Sequence, residues 1–246
     1  MRARSAGCSV TLARGSRVWL SSAPISYCGN VGLAETIDDL LVLVEIAPID
    51  GWGGIVAQAA PRFIRTANRL PVMGILRIDS DDLYTMTSDE IRSVMTHELL
   101  HVLGFGSMWT DPYVNLLANA GTTDPFFLGP SAGTAFADAG GWRYSGSKVP
   151  VENVGGVGTA DSHWRLSVFG EELMTGWLTS EPPPLSGTTI MSLADLGYAV
   201  DPASADPFSI ASAARRSSPN HGRDVGSDVL PVMAMEVDED GTIRRR

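Results

Sequence analysis

Cysteine, long apolar runs and basic clusters are scarce in this sequence, and each scarcity excludes a class of protein. The 246 residues include only two cysteines, Cys8 and Cys28, which could pair or remain free thiols but do not make a disulfide framework. No apolar run approaches the roughly 18 residues that a transmembrane helix needs. The net charge is −10 and no basic stripe is present, which argues against a nucleic-acid partner. The 44% of hydrophobic residues instead predict a globular protein with a substantial core.

The two ends of the chain differ from its middle in composition. Arg2 and Arg4 precede a weakly apolar segment that further arginines interrupt, which is not the pattern of a secretory signal peptide. Residues 1–32 are therefore an N-terminal segment of unclear structure. From residue 201 onward the composition turns to Pro, Ser, Ala and Arg with a charged end, which predicts a flexible tail over residues 201–246. We expect residues 33–200 to form the folded unit.

Apolar segments rich in β-branched residues predict strands over residues 17–25, 40–49, 55–60 and 71–79. The glycine-rich stretch 51–54 lacks the lysine and the helix that follow a phosphate-binding loop, so we interpret it as a turn. Asp79, Asp81 and Asp82 close the last of these strands. They could bind calcium, but the spacing of a calcium loop is absent, and a solvated turn is the favoured interpretation.

The strongest helix signal leads into HELLHVLGFG, residues 97–106. Thr87 and Glu90 are three residues apart, as a capping box requires, and apolar residues then repeat at helical spacing. Gly104 can take the positive φ that stops a helix. The same kinds of start and stop signals predict a final helix over residues 186–198.

His97 and His101 are four residues apart, which places both imidazoles on one face of the predicted helix. This spacing lets both rings bind one zinc ion, and Glu98 is then placed to act as general base toward a metal-bound water. The pattern is short and chance matches occur in ordinary amphipathic helices. Its position late in a well-marked helix favours the metal site.

A catalytic zinc site needs a third protein ligand and an open fourth position. The two remaining histidines are His163, in the predicted folded unit, and His221, in the polar tail, so His163 is the favoured third ligand. Asp124, at the end of a Gly-Thr-Thr-Asp element, is a weaker alternative. No glutamate occurs between Glu98 and Glu152, which argues against a glutamate ligand on a closely following helix.

Three segments in this order, HELLHVLGFG, DSHWRLSVFGEELMTG and TTIMSLADLGY, resemble the leishmanolysin family of metzincin metallopeptidases, particularly its compact bacterial members. The resemblance implies an α+β metzincin fold with a twisted mixed sheet, an active-site helix, and a C-terminal subdomain containing a Met-turn and a final helix. The subdomains would be residues 33–105 and 106–200. A first strand and a long helix should precede the strand at residue 40, but residues 1–32 do not show that helix.

The resemblance also assigns roles to residues. An insertion separates Gly104 from the third histidine in this family, so His163 takes the ligand position and Gly104 keeps its place at the end of the helix. Met174 falls at the position of the Met-turn methionine, a hydrophobic floor beneath the zinc. Substrate would lie extended along an edge strand near residues 74–79, and would add a strand through backbone hydrogen bonds.

The function implied is a zinc-dependent endopeptidase with one catalytic Zn²⁺, acting on protein or peptide substrates outside the cell or at its surface. Zinc would be held by His97, His101 and His163, and Glu98 would assist the attack of water. The alternative is a zinc-stabilised binding or adhesion module without peptidase activity, against which Glu98 argues, because a structural site needs no base. A third interpretation is a globular protein with a chance motif and no metal.

Overall fold

A computed structural model describes residues 2–4, 8–20, 23–25, 29–31, 35–142, 148–179, 182–213 and 222–244. Before residue 36 it describes the backbone alone. The alternatives left open for Cys8 and Cys28, and the surface position expected for His221, lie outside the described side chains.

The described residues contain fourteen β-strands. They are β1 (Arg2–Arg4), β2 (Cys8–Leu20), β3 (Ala23–Ile25), β4 (Gly29–Val31), β5 (Glu35–Ala47), β6 (Ala57–Arg65), β7 (Pro71–Asp79), β8 (Leu117–Ala118), β9 (Phe126–Phe127), β10 (Val149–Pro150), β11 (Trp177–Thr179), β12 (Gly222–Asp224), β13 (Met235–Val237) and β14 (Ile243–Arg244). The main sheet has the order β1-β2-β5-β7-β6-β13-β14. Smaller sheets are β10-β9-β8, β11-β12 and β3-β4.

The main sheet is mixed, as predicted. Strand β5 pairs antiparallel with β2 and parallel with β7, and β6 returns antiparallel along the other side of β7. The predicted strand at residues 71–79 coincides with β7. Strands β5 and β6 are longer than predicted, and residues before 35 form strands wherever they are described, so the long helix that the family leads one to expect is not seen in that part of the chain.

The prediction that residues 74–79 form the edge of the sheet is wrong. Strand β7 lies between β5 and β6, and all but one of its nine residues are buried. Because β7 has a paired strand on each side and both of its faces are covered, it is a central strand of the sheet. On this side of β7 the sheet continues through β6 to β13 and β14, and β13 pairs with the far edge of β6.

The described helices are short except for two. They are α1 (Ser80–Leu83), α2 (Ser88–Val102), α3 (Pro130–Phe136) with a π-helical turn at Ala137–Gly141, α4 (Leu166–Phe169), α5 (Gly187–Leu196) and α6 (Ile210–Ala213), with a 3₁₀ turn at Pro202–Ser204. Helix α5 confirms the predicted final helix: Ser186 caps it and Gly197 ends it at φ 107°. Together with the mixed sheet, these helices confirm an α+β fold.

Helix α2 packs across β6 and β7. A Cβ atom at Gly74 of β7 would lie 2.4 Å from Val102 Cγ1, so glycine at this position lets the end of the helix approach the sheet closely. Alternate residues of β5 point to the two faces: Leu40, Val42 and Val44 join the core beneath α2, whereas Leu41 and Leu43 join a second core on the opposite face. The sheet thus separates two apolar layers, and α2 is fixed on one of them.

Residues 222–237, here called the C-terminal segment, are folded, so the prediction of a flexible tail is wrong for them. Strand β12 pairs with β11, and β13 pairs parallel with β6. Between these strands, Val225 and Leu230 are buried. Its polar composition is compatible with an ordered structure, because the main chain of the segment forms hydrogen bonds with β11 and β6.

Two further sequence interpretations concern loops. Residues 51–54 form a turn, with the Gly54 N–H donating to the Gly51 carbonyl. The Asp79 carboxylate accepts the N–H groups of residues 49, 50, 51 and 81, so it organises this turn. Within the described ranges, these aspartates do not form a group able to hold a metal. Asp79 and Asp82 are fully buried, so the turn is not the solvated one of the favoured interpretation. None of the helices in those ranges has the length and apolar composition of a membrane span.

Candidate metal centre

Helix α2 carries the HExxH sequence in its last two turns. It begins with the predicted capping box: the Glu90 N–H donates to Thr87 Oγ1 at 3.2 Å, and the Thr87 N–H donates to Glu90 Oε2 at 2.8 Å. It ends at Val102, and Gly104 follows with φ 110°, which confirms the predicted helix end. His97, Glu98 and His101 are fully buried.

His163 reaches α2 because the chain around it is held on both sides. Its neighbour Trp164 is packed among the rings of Phe105, Trp109, Phe127 and Phe169, with centroid distances of 4.9–5.6 Å. The Trp164 N–H donates to the Met174 carbonyl at 2.9 Å, and its indole N–H donates to Thr189 Oγ1. The long stretch after α2 therefore folds back and places the 163 side chain against the helix.

Gly106 fixes a second approach between α2 and this loop. Its φ is +67°, and a Cβ atom there would lie 2.1 Å from the Ser162 carbonyl oxygen. Only glycine fits both the backbone conformation and the space. The residue before His163 is thus held directly against the chain that leaves α2.

Each of the three imidazoles uses Nδ1 to hold a backbone carbonyl. His97 Nδ1 lies 2.6 Å from Leu173 O, His101 Nδ1 lies 2.8 Å from Phe105 O, and His163 Nδ1 lies 3.0 Å from Thr159 O. Because a carbonyl only accepts, each Nδ1 carries a proton, which leaves Nε2 as the atom of each ring that can bind a metal. The three Nε2 atoms are 3.0, 3.2 and 3.2 Å apart.

A fourth group, which the sequence analysis did not identify, completes this cluster. Asp228 Oδ2 lies 2.7 Å from His97 Nε2, 3.1 Å from His163 Nε2 and 3.5 Å from His101 Nε2. Asp228 is fully buried and belongs to the C-terminal segment. The three histidines and this aspartate form a group of ligand atoms that could hold one metal ion.

The donor set fits zinc. Ligands about 2.0–2.1 Å from a tetrahedral zinc ion lie about 3.3 Å from each other, close to the separations seen here. Three lone pairs and a carboxylate oxygen that converge on one point repel one another unless a cation lies between them. Nitrogen and carboxylate oxygen are both ordinary zinc ligands.

The charges at the centre lead to the same conclusion. Burial lowers the pKa of His101 to about 4, which keeps this ring neutral. Burial alone would also lower the pKa of His163, but the Asp228 carboxylate raises it above its ordinary value. Burial alone would raise the pKa of Asp228, but the two histidines hold it well below its usual range. The buried carboxylate therefore requires a positive charge among the imidazoles, and a metal cation supplies one.

Glu98 differs from its neighbours because neither of its carboxylate oxygens has a hydrogen-bond partner among the described residues. Burial raises the pKa of Glu98 well above its ordinary value, and the Asp228 charge raises it further. An unpartnered buried carboxylate is costly. Its position next to His97 on α2 is the one expected of a general base.

Met174 lies in the tight turn that supports His97. The preceding residue, Leu173, supplies the carbonyl that holds His97 Nδ1, and the Met174 side chain is fully buried. Glu172 organises this turn, because its carboxylate accepts the Met174 N–H at 2.6 Å and both the N–H and the hydroxyl of Ser186. The turn therefore connects the histidine cluster to the start of α5. The role of Met174 as a floor beneath the metal stays a prediction.

The weaker ligand candidate, Asp124, lies elsewhere. Its side chain is 61% exposed and pairs with Arg165 at 3.4 Å. Asp228 carries no comparable signal in the sequence. It lies in a stretch whose composition resembles a tail, it has no fixed spacing from the histidines, and only the path of the folded chain brings it to them.

A solvent-accessible cleft of about 840 Å³ is lined by residues that neighbour His163 and Asp228 in the chain. One wall is the loop that follows α2 together with residues 156–162, which precede His163. The other wall is residues 229–234 of the C-terminal segment. The cleft thus lies between the histidine-bearing loops and the segment that carries Asp228.

Comparisons with known proteins identify the family. Residues 24–215 match the model of the leishmanolysin family. The chain is similar to a leishmanolysin homologue from Crithidia fasciculata, with 24% identity over 190 residues that cover 73% of this chain. The same residues cover 28% of that relative, so the chain spans little more than a quarter of its length. The family match includes all three histidines and Glu98, ends before Asp228, and covers well over half of the chain: the protein belongs to the leishmanolysin family.

Proposed function

We propose that this protein is a zinc-dependent metalloendopeptidase in which His97, His101 and His163 hold the metal and Glu98 is the general base. The environment of Glu98 is the observation that supports the proposal most strongly. Glu98 is fully buried, adjacent to a histidine of the cluster, and without a hydrogen-bond partner for either oxygen in the described structure. A metal site that only stabilises the fold gives no reason to bury a second, unpaired carboxylate, because such burial costs stability.

Zinc bound by these residues would lower the pKa of a coordinated water to about 7 and polarise the peptide carbonyl. Glu98 accepts the proton of the attacking water and delivers it to the leaving amine. Its raised pKa suits this task, because a carboxylate that is more basic than usual retains the proton between the two steps. Burial also excludes bulk water from the proton transfer.

The backbone carbonyls that hold the three rings have a supporting role. Each fixes one imidazole with its Nε2 lone pair toward the centre, and such contacts from surrounding groups raise the basicity of a ligand and fix its orientation. The Met174 turn serves the same purpose, because it places the Leu173 carbonyl against His97. The chain therefore holds the metal-binding geometry through its own hydrogen bonds.

Protein or peptide substrates follow from the family and from the cleft between the histidine-bearing loops and the C-terminal segment. With a volume of about 840 Å³, the cleft is large enough for several side chains of an extended peptide. The family resemblance also favours action outside the cell or at its surface.

One observation favours the alternative function, a zinc-stabilised binding or adhesion module. Asp228 occupies the fourth position around the point on which the three imidazoles converge, and a closed fourth position is typical of structural zinc. The two functions therefore depend on different carboxylates. If Glu98 acts as a base the protein is a peptidase, whereas if Asp228 is a permanent ligand the zinc is structural.

Casein hydrolysis by the purified protein tests the proposal. We expect cleavage that a zinc chelator abolishes and added zinc restores, in the wild-type chain or in Asp228→Ala at saturating zinc. In the same background, Glu98→Gln should retain the metal but lower the rate by about 10²–10⁴-fold, the usual contribution of a general base. Asp89→Asn is the matched control, because Asp89 is an exposed carboxylate on the same helix. Unchanged cleavage in Glu98→Gln would remove Glu98 from the mechanism.

A further inference from the structure

We propose that the C-terminal segment, residues 222–237, is an inhibitory element that covers the metal centre, forms one wall of the cleft, and uses Asp228 to occupy the position that catalysis needs open. The inference rests on the proposed peptidase function. The family match ends at residue 215, so this element lies outside the part of the chain shared with the family.

Burial of the centre is the first argument. His97, Glu98, His101, His163 and Asp228 all have 0% exposure. A peptide bond cannot reach Glu98 or the imidazoles while they are covered in this way. The groups that act on a substrate are therefore assembled but inaccessible, and an element that covers them has to move before a substrate can enter.

The path of the segment is the second argument. Asp228 O accepts the Ala59 N–H at 2.8 Å, and the Leu230 N–H donates to Ala59 O at 3.0 Å. This is the hydrogen-bond pattern of a parallel strand added to β6. Strand addition at a sheet edge is a standard way for a protein to bind an extended peptide. The segment uses the backbone groups that β6 would otherwise offer to a substrate.

The attachment of the segment is discontinuous, which is the third argument. It pairs with β6 at residues 228–230 and again only at Met235–Val237. Between these points the Val232 N–H donates to Leu230 O within the segment itself, and the Met233 side chain is 75% exposed. This part also lines the solvent-accessible cleft. Such an element can detach without disrupting the pairing of β5, β6 and β7.

Contacts at the start of the segment hold it over the centre. Strand β12 pairs with β11, which follows the Met174 turn directly. Arg223 lies 3.4 Å from Asp82 Oδ1 and donates to Thr85 Oγ1 at 2.8 Å, next to the beginning of α2. The Ser227 N–H donates to Thr159 Oγ1 at 2.7 Å. These contacts hold the chain so that Asp228 lies beside the three histidines.

Acetohydroxamate, a small zinc chelator that binds an open metal position, tests the proposal with a readout other than activity. The full chain is loaded with Co²⁺, and hydroxamate binding is followed by the visible absorption of the metal. If the seated segment occupies about 99% of wild-type molecules, the apparent Kd is weakened about 100-fold. We expect Asp228→Ala to recover this affinity, whereas Asp240→Ala, which removes an exposed carboxylate beyond the segment, should bind as the wild type does.

A second variant keeps Asp228 and loosens the segment. Leu230 is buried against the second core, so Leu230→Lys should detach the segment from β6. We expect tighter hydroxamate binding and faster amide exchange at Ala59 and Leu230's neighbours, with the rest of β6 and β7 protected. Hydroxamate affinity equal to that of the wild type in both metal-loaded variants would overturn the proposal, because Asp228 would then not block the metal position. Tighter binding in Asp228→Ala but not in Leu230→Lys would also overturn it and would identify Asp228 as a permanent ligand.

Casein cleavage separates this inference from the function on which it rests. Tighter hydroxamate binding together with new cleavage in Asp228→Ala supports both. Tighter hydroxamate binding without cleavage supports the covering role of the segment and contradicts the peptidase function. Cleavage at equal rates in the wild type and in both variants, with equal hydroxamate affinity, supports the peptidase and contradicts the inhibitory segment.

Discussion

Two regions of the molecule supply the candidate metal centre, and they hold their side chains differently. Each imidazole of the histidine framework (residues 97–105 and 159–176) is fixed through Nδ1 by a carbonyl from the loops around it. The C-terminal segment holds Asp228 through its main chain, paired at Ala59, and Asp228 Oδ1 has no hydrogen-bond partner among the described residues. The framework orients its three imidazoles through hydrogen bonds to the rings, whereas the segment positions Asp228 through its main chain alone.

Under the two proposals above, this difference assigns metal binding and access to the metal to separate parts of the chain. The framework lies within the family match and is organised by its own hydrogen bonds and aromatic packing. The segment lies beyond the match and reaches the centre by adding to β6. A change in the framework should therefore alter metal affinity and stability, and a change in the segment should mainly alter what else can bind.

The largest effect should follow from removing His163, because this breaks the framework itself. His163→Ala leaves two imidazoles of the three, and we expect zinc affinity to fall by more than the roughly 10–100-fold that is typical of changes to groups supporting a ligand. Competition with a chromophoric chelator measures the affinity. His221→Ala is the control, because it removes the histidine that the sequence places in the tail. Equal affinities in the two variants would show that His163 is not a ligand.

The next effect concerns the contact that joins the two parts of the framework. Gly106→Ala places a Cβ atom 2.1 Å from the Ser162 carbonyl at a φ of +67°. We expect a loss of about 2–4 kcal/mol in the free energy of unfolding, together with weaker zinc binding, because relieving the clash moves the neighbour of His163.

Gly121→Ala separates backbone strain from this clash. Gly121 has a similar φ of +72°, but nothing lies within 4 Å of its Cβ position. It should lose stability from strain alone, about 1 kcal/mol, and keep its zinc affinity. Denaturant unfolding and chelator competition on both variants provide the comparison. If the two glycine variants behave alike, the contact at Ser162 does not position His163.

Strand β7, helix α2 and the part of the framework that α2 carries could be predicted from the sequence, because their signals are local. The capping box at Thr87, the histidine spacing on α2 and the extent of β7 all depend on residues that are close in the chain. The assignment of His163 is non-local. It depends on there being only four histidines to choose from and on the family resemblance.

The segment could not be predicted, for a physical reason. Its stability comes from main-chain pairing with β6 and from a few buried side chains, and neither leaves a periodic pattern in a polar stretch. Asp228 is one of 28 acidic residues and has no fixed spacing from the histidines. The edge of the sheet was misplaced for a related reason, because alternation of apolar residues reports which faces are buried and not which strands are neighbours.

The smallest effect is expected from a change at the start of α2, far from the histidines that the framework holds. Thr87→Ala removes the capping box of α2, which should cost about 1 kcal/mol. In a chain of this size, that corresponds to a fall in Tm of about 2–4 °C. Thr96→Ala is the matched control, because the Thr96 hydroxyl only donates to the Arg92 carbonyl on an exposed face of the same helix. Thermal unfolding measures the Tm of both variants.

Zinc affinity should stay within about twofold of the wild type, since the Nδ1 contacts that orient His97 and His101 are made at the other end of the helix and with the loops beyond it. A parallel loss of zinc affinity in Thr87→Ala would mean that the helix as a whole positions the imidazoles, and that the carbonyls around them do not.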